Sequence, residues 1–118
     1  MASKMLHTCL RVENLEKSIA FYADAFEFKE LRRKDFPEHQ FTIVYLGLDG
    51  DEYELELTYN YGHGPYVIGD GFAHVALSTP DLLQLHAEHT AKGYSQMDFL
   101  EQSRIITLLR IRMVIKLK

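Results

Sequence analysis

Twice along its 118 residues this chain changes its hydrophobic period from two to near 3.6, and that repeated switch constrains the fold more than any other feature. In LHTCLRV (residues 6–12) Leu6, Thr8, Leu10 and Val12 fall on one face of a strand, and His7, Cys9 and Arg11 on the other. NLEKSIAFYADAF follows, with Asn14 placed to cap a helix and Leu15, Ile19, Tyr22 and Phe26 repeating along one side of it. The order returns near residue 72. FAHVALS alternates, with His74 on the face of Phe72 and Ala76. Thr79 as cap and Pro80 at the first position then open a helix that runs to Gly93. Strand then helix, twice, with a mid-strand histidine each time, reads as an internal duplication.

Between the two copies lie FKELRRKDF and QFTIVYLGL, two expected strands split by a turn at Pro37. GLDGDE is a hairpin signal centred on Asp49-Gly50. It leads into YELELTYNY, where Glu54, Glu56, Thr58 and Asn60 alternate with Leu55, Leu57 and Tyr59. The glycine-rich GHGPYVIGDG reads as a connection between halves. The predicted fold class is therefore α+β. Its first module covers residues 4–61 as β-α-β-β-β, a linker covers 62–70, and a second module opening β-α covers 71–118.

Size and mixture of residue types fit one globular domain with a buried core. A net charge of −4 argues against nucleic acid as a partner. No apolar run reaches the roughly 18 residues of a membrane span, and MASKMLHTCLRV does not read as a secretory leader. The lone Cys9 rules out a disulfide framework, so a reducing cytoplasm is the expected setting.

Three expected strands each carry one good metal donor: His7, Glu56 and His74. Imidazole nitrogen and carboxylate oxygen suit Ni, Co, Zn, Mn or Fe. Spacing alone does not enforce such a site, as it does where two histidines share a helix turn in HExxH. His39, His63, His86 and His89 read as ordinary hydrogen-bonded or exposed residues, and Cys9 as packing.

The words around the three donors resemble a known family. LHTCLRVENLEKSIAFY, ELTYNY and GFAHVALST are similar to glyoxalase I (lactoylglutathione lyase) of the short bacterial type, over residues 5–95. The resemblance implies the vicinal oxygen chelate fold, in which paired βαβββ modules curl around a divalent metal. It implies His7, Glu56 and His74 as metal ligands, with Glu56 the catalytic carboxylate among the residues present, and Arg11 and Asn60 as the groups that hold glutathione's carboxylate. It also implies Ni²⁺ or Co²⁺ as the preferred ion with Zn²⁺ as the alternative, and a homodimer with shared sites. The implied substrate is the hemithioacetal of glutathione and methylglyoxal, isomerised to S-lactoylglutathione. Glu27 departs from the pattern: it stands where relatives commonly place a glycine after the first helix, and a side chain in the left-handed conformation there costs roughly 1–2 kcal/mol.

The ending does not match. From Met97 onward five basic residues (Arg104, Arg110, Arg112, Lys116 and Lys118) stand against Asp98 and Glu101 in a mostly apolar run. The family's last strand, with a context like DPDGYKIE and a fourth ligand that is also its favoured base, is missing. Back-translation accounts for this. One synonymous codon set for residues 97–118, read from the third base of Met97, encodes GLPGTIPNYYFIKDPDGYKIE. Residues 97–118 are thus expected to be a frameshifted tail, leaving a second module that is atypical beyond residue 95 and a lyase impaired by loss of a ligand. Two other classes stay open: a non-catalytic metal- or thiol-binding dimer, and another vicinal oxygen chelate enzyme such as a thiol transferase or extradiol dioxygenase. Attachment of the tail to a membrane is disfavoured, because its charges do not segregate at helical spacing.

Overall fold

The computed structural model describes residues 1–94, in two compact units: Met1–Tyr66, and a second opening at Val67. The expectations for the tail at 97–118 lie outside the described residues.

The first unit is a four-stranded sheet with one helix against it. In chain order it runs β1 (His7–Arg11), α1 (Leu15–Phe26), β2 (Lys29–Phe36), a 3₁₀ turn (Pro37–His39), β3 (Phe41–Gly47) and β4 (Glu54–Asn60). The sheet order is β1-β4-β3-β2, with β1 parallel to β4 and the other pairs antiparallel. A parallel neighbour requires a long crossover, which α1, β2 and β3 together provide. Leu10, Val12, Val44, Leu46, Leu55 and Leu57 bury one face of the sheet together with Leu15, Phe21, Tyr22 and Ala25 of α1. The opposite face carries His7, Cys9, Arg11, Glu56, Thr58, Tyr45 and Arg32, and no helix of this unit covers it.

Asn14 caps α1 as its sequence suggests, its side-chain oxygen accepting from the Lys17 amide at 3.1 Å. The buried stripe is turned from the expected one: it passes through Leu15, Ser18, Phe21, Tyr22 and Ala25, while Ile19 and Phe26 are only half-buried. Ser18 and Ala25 are small, and small residues let a helix lie close against a sheet.

At its C-terminus α1 stops at Glu27, whose φ of 64° and ψ of 29° are left-handed. The Glu27 amide donates to Ala23 at 3.0 Å and the Phe28 amide to Tyr22 at 3.3 Å. Phe28 packs edge-on against Tyr22 with ring centroids 5.5 Å apart. The Glu27 bond is the 5→1 bond of a left-handed helix cap, here with an apolar contact across it, built on a glutamate. The Asp49-Gly50 turn also forms, closed by the Asp51 amide donating to Leu48 at 3.2 Å, with φ of 79° at Gly50.

The second unit departs from expectation in two places. Residues 72–77 are not a strand, and Phe72 and His74 are exposed. A strand exists through the neighbour that takes up its backbone groups, and the described residues give this segment none. The helix there, α2, spans Leu82–Ala91 and is capped by Asp81, not Thr79: the Asp81 carboxylate accepts from the Gln84 amide at 3.0 Å. An ionised carboxylate at a helix start also meets the positive end of the backbone dipoles. Gly93 ends the helical run with φ of 76°. His89, read as ordinary from sequence, is fully buried and packs edge-on against Tyr94. No helix among the described residues is long and apolar enough to cross a membrane.

Candidate functional site

The register of the sheet puts chemically useful residues in rows across its open face. Cys9, Glu56, Tyr45 and Arg32 form one row, and Arg11, Thr58, Ile43 and Lys34 the next. Glu56 is the pivot. It comes from β4, between β1 and β3, and the strict alternation of ELELTYN sends it to this face while Leu55 and Leu57 enter the core. Although on the uncovered side, Glu56 is buried by its neighbours.

His7 Nε2 lies 3.3 Å from Glu56 Oε1, and the His7 ring meets Tyr45 edge-on at 5.6 Å. The other carboxylate oxygen, Oε2, accepts from the Thr58 hydroxyl at 2.8 Å. Cys9 Sγ is 3.3 Å from Thr58 Oγ1. Burial pushes the Glu56 carboxyl up, but hydrogen bonds from Cys9, Thr58 and Tyr45 and the nearby His7 outweigh it and hold the group below the usual carboxylate range. Partial burial and the bond to Glu56 push the Cys9 thiol up. Cys9 is therefore a hydrogen-bonding thiol on an exposed residue, not the packing residue its strand position suggested.

Around this centre the face is strongly charged. Arg32 holds Glu54 through two bonds of 2.7 and 2.6 Å, and its guanidinium lies 4.0 Å above the Tyr45 ring. The Arg32 hydrogen bond keeps the Glu54 carboxyl below its ordinary range. Arg11 is exposed and stands beside Thr58 in the parallel ladder. Asn60, at the end of β4, donates its amide to the Tyr66 hydroxyl at 2.9 Å, and Tyr66 stacks on His63 at 4.0 Å. Away from this face, a cavity of about 410 Å³ is lined by residues including Glu13, Asn14, Asp35, Thr42 and Tyr59. It contains none of the sequence-selected donors.

Of those donors, the structure brings His7 and Glu56 together and sets Arg11 and Asn60 on the same face. His74 belongs to the second unit, on the exposed stretch at residues 72–77. Among the described residues no three His, Cys, Asp or Glu side chains converge on one point. The pair that does converge fits a divalent ion: two N/O donors 3.3 Å apart can share one ion at ligand distances of roughly 2.0–2.2 Å, and the carboxylate already favours its ionised form. Sequence reasoning overlooked Thr58, Tyr45 and Arg32. The first was legible, since it follows Glu56 by two positions in an alternating strand. The other two are set by pairing across β3 and β2.

The chain is similar to known proteins. The family model for the Glyoxalase/Bleomycin resistance protein/Dioxygenase superfamily matches residues 4–101. A lactoylglutathione lyase of Neisseria meningitidis is 46% identical over 81 residues, 66% of this chain and 58% of that one. A lactoylglutathione lyase of Arabidopsis thaliana is 41% identical over 92 residues, 76% of this chain and 32% of that one. The chain thus spans between about a third and three-fifths of these two relatives. Among solved structures, the trypanothione-dependent glyoxalase I of Leishmania major superposes with a TM-score of 0.78 at 37% identity, covering 85% of this chain and 73% of its own.

Proposed function

The chain belongs to the Glyoxalase/Bleomycin resistance protein/Dioxygenase superfamily, and from that premise we propose that it is built as a lactoylglutathione lyase, a divalent-metal-dependent isomerase of the hemithioacetal of glutathione and methylglyoxal. The observation that carries the reading is the His7–Glu56 pair, held at 3.3 Å on the open face of a sheet with the register of Cys9, Tyr45 and Thr58 around it. His74 is the third proposed ligand, Ni²⁺ or Co²⁺ the proposed ion with Zn²⁺ as the alternative, and a cytoplasmic homodimer with shared sites the proposed assembly.

When bound, the ion supplies Lewis-acid polarisation of the substrate's vicinal oxygens. The chain's own residues do the rest. Glu56, whose carboxyl is held below its usual range, would supply a carboxylate to take up the carbon-bound proton that has to move between adjacent carbons. Arg11 offers a planar two-donor fork for a carboxylate of the thiol cosubstrate, which a lysine could not match in geometry. Asn60 offers an amide on the same face, and binding there exchanges its bond to Tyr66 for one to the cosubstrate.

Residues 97–118 bear directly on turnover, because the family's fourth ligand and favoured base belong to words this tail lacks. The 118-residue chain is accordingly expected to turn over slowly. Replacing residues 97–118 by GLPGTIPNYYFIKDPDGYKIE should raise thioester formation from the hemithioacetal by at least about 100-fold, the lower end of what a positioned acid–base group contributes. Glu56→Gln in that chain should abolish the gain. A full-rate unaltered chain would overturn the account of the tail. No activity in either chain, with metal bound, would favour the second reading, a metal-binding dimer without catalysis. That reading draws on the two-donor convergence among the described residues.

A further inference from the structure

Two contacts beside Glu56 fix the direction of their hydrogen bonds. An ionised carboxylate only accepts, so the 2.8 Å contact is a bond donated by the Thr58 hydroxyl to Oε2. That hydroxyl has one proton and has now spent it. In the 3.3 Å contact between Cys9 Sγ and Thr58 Oγ1 the single proton of the thiol must therefore be the bridging one. The result is a one-way chain, Cys9 to Thr58 to Glu56. It ends on the carboxylate oxygen that does not face His7, since His7 Nε2 approaches Oε1. Thr58 and His7 thus meet different oxygens of Glu56.

We propose that Thr58 is the positioning residue of this site: by engaging Oε2 it turns Oε1 toward His7 and makes Glu56 a one-oxygen ligand, where a free carboxylate could chelate with both. The inference rests on the reading of His7 and Glu56 as metal donors and adds to it the group that fixes their geometry. Thr58 follows Glu56 by two on one strand, so a rigid extended backbone sets the spacing of hydroxyl and carboxylate. The parallel partner strand adds Cys9 beside Glu56 and Arg11 beside Thr58. Partners of this kind commonly govern 10–100-fold in metal affinity.

The test is Ni²⁺ affinity of the full chain, measured by competition with a chromophoric chelator for the parent, Thr58→Val, Thr58→Ser, Glu56→Gln and the Thr58→Val/Glu56→Gln double variant. Thr58→Val keeps the branched shape and loses the hydroxyl; it should weaken Ni²⁺ binding about 10–100-fold. Thr58→Ser restores the donor and should stay within about threefold of the parent. In the double variant the Thr58→Val loss should vanish, because it acts through Glu56. A Thr58→Val variant with parental affinity, or a Thr58→Ser variant as weak as Thr58→Val, would overturn the positioning role and leave the ligand reading standing. Glu56→Gln with parental affinity would overturn both. A measurement on the unaltered side chain guards against misfolded variants: the infrared difference on adding Ni²⁺, parent minus Glu56→Gln, should show widely split carboxylate stretches. Narrowly split ones mean two-oxygen chelation and would refute the proposal.

Discussion

Replacing Glu27 by glycine should stabilise the first unit by about 0.5–1 kcal/mol. The residue ends α1 with φ of 64°, and its side chain is exposed, with no hydrogen bond or ion pair among the described residues. Holding a Cβ in the left-handed region costs roughly 1–2 kcal/mol. Glycine removes that cost but adds freedom to the unfolded chain, worth about 0.5–1 kcal/mol in the other direction. The two backbone bonds of the turn, Glu27 to Ala23 and Phe28 to Tyr22, do not involve the side chain and survive. The difference corresponds to a rise in melting temperature of about 2–8 °C for a unit of this size. Glu27→Ala is the control: it keeps the Cβ and removes only an unpartnered exposed carboxylate, so its shift should stay within about 0.5 kcal/mol. Thermal and urea denaturation of the three proteins, without metal, would decide it. If glycine is no better than alanine, the left-handed penalty is not being paid at this position and the account of the turn fails.

Tyr22 has a buried hydroxyl with no hydrogen-bond partner among the described residues, and burial pushes its phenol well above the usual range; Tyr22→Phe should therefore leave stability unchanged or raise it by about 1 kcal/mol, and a loss larger than that in urea denaturation would reveal a partner for the oxygen. Glu54 and Glu56 are held below the ordinary carboxylate value of 4.5 in the folded chain. The unfolded state thus binds more protons in acid, and the stability they contribute is present above about pH 4.5 and lost as pH falls through their folded values. Urea midpoints between about pH 6 and 3 should fall steeply for the metal-free parent and less steeply for Glu56→Gln; parallel curves would contradict this.

How much of this was legible in the sequence depended on whether a residue's role is local. The faces of β1 and β4 follow from alternation, and the Asn14 cap and the Asp49-Gly50 turn follow from side-chain chemistry within four residues. The tilt of α1 does not: the stripe through Ser18 and Ala25 is chosen by what the sheet offers, and hydrophobic periodicity alone favoured Ile19 and Phe26. The segment at residues 72–77 failed for a related reason, since alternation describes a strand's faces but cannot supply its neighbour. At the site, His7 and Glu56 were named from their residue types and their surrounding words. The bond from Thr58 and the row from Cys9 to Arg32 needed the pairing of four strands to be known.

The parallel pairing of β1 with β4 has a consequence for the order of folding. The β2–β3 and β3–β4 hairpins join strands that are neighbours in sequence, whereas the Cys9–Thr58 contact closes over 49 residues. Closure across so long a segment carries the larger entropic cost and is characteristically late. His7 and Glu56 sit on the two strands joined in that step. The proposed donor pair is thus completed only when β1 closes on β4, and an ion held by it would act as a latch on that closure: it would slow reopening of β1 and have nothing to grip in the states that precede it.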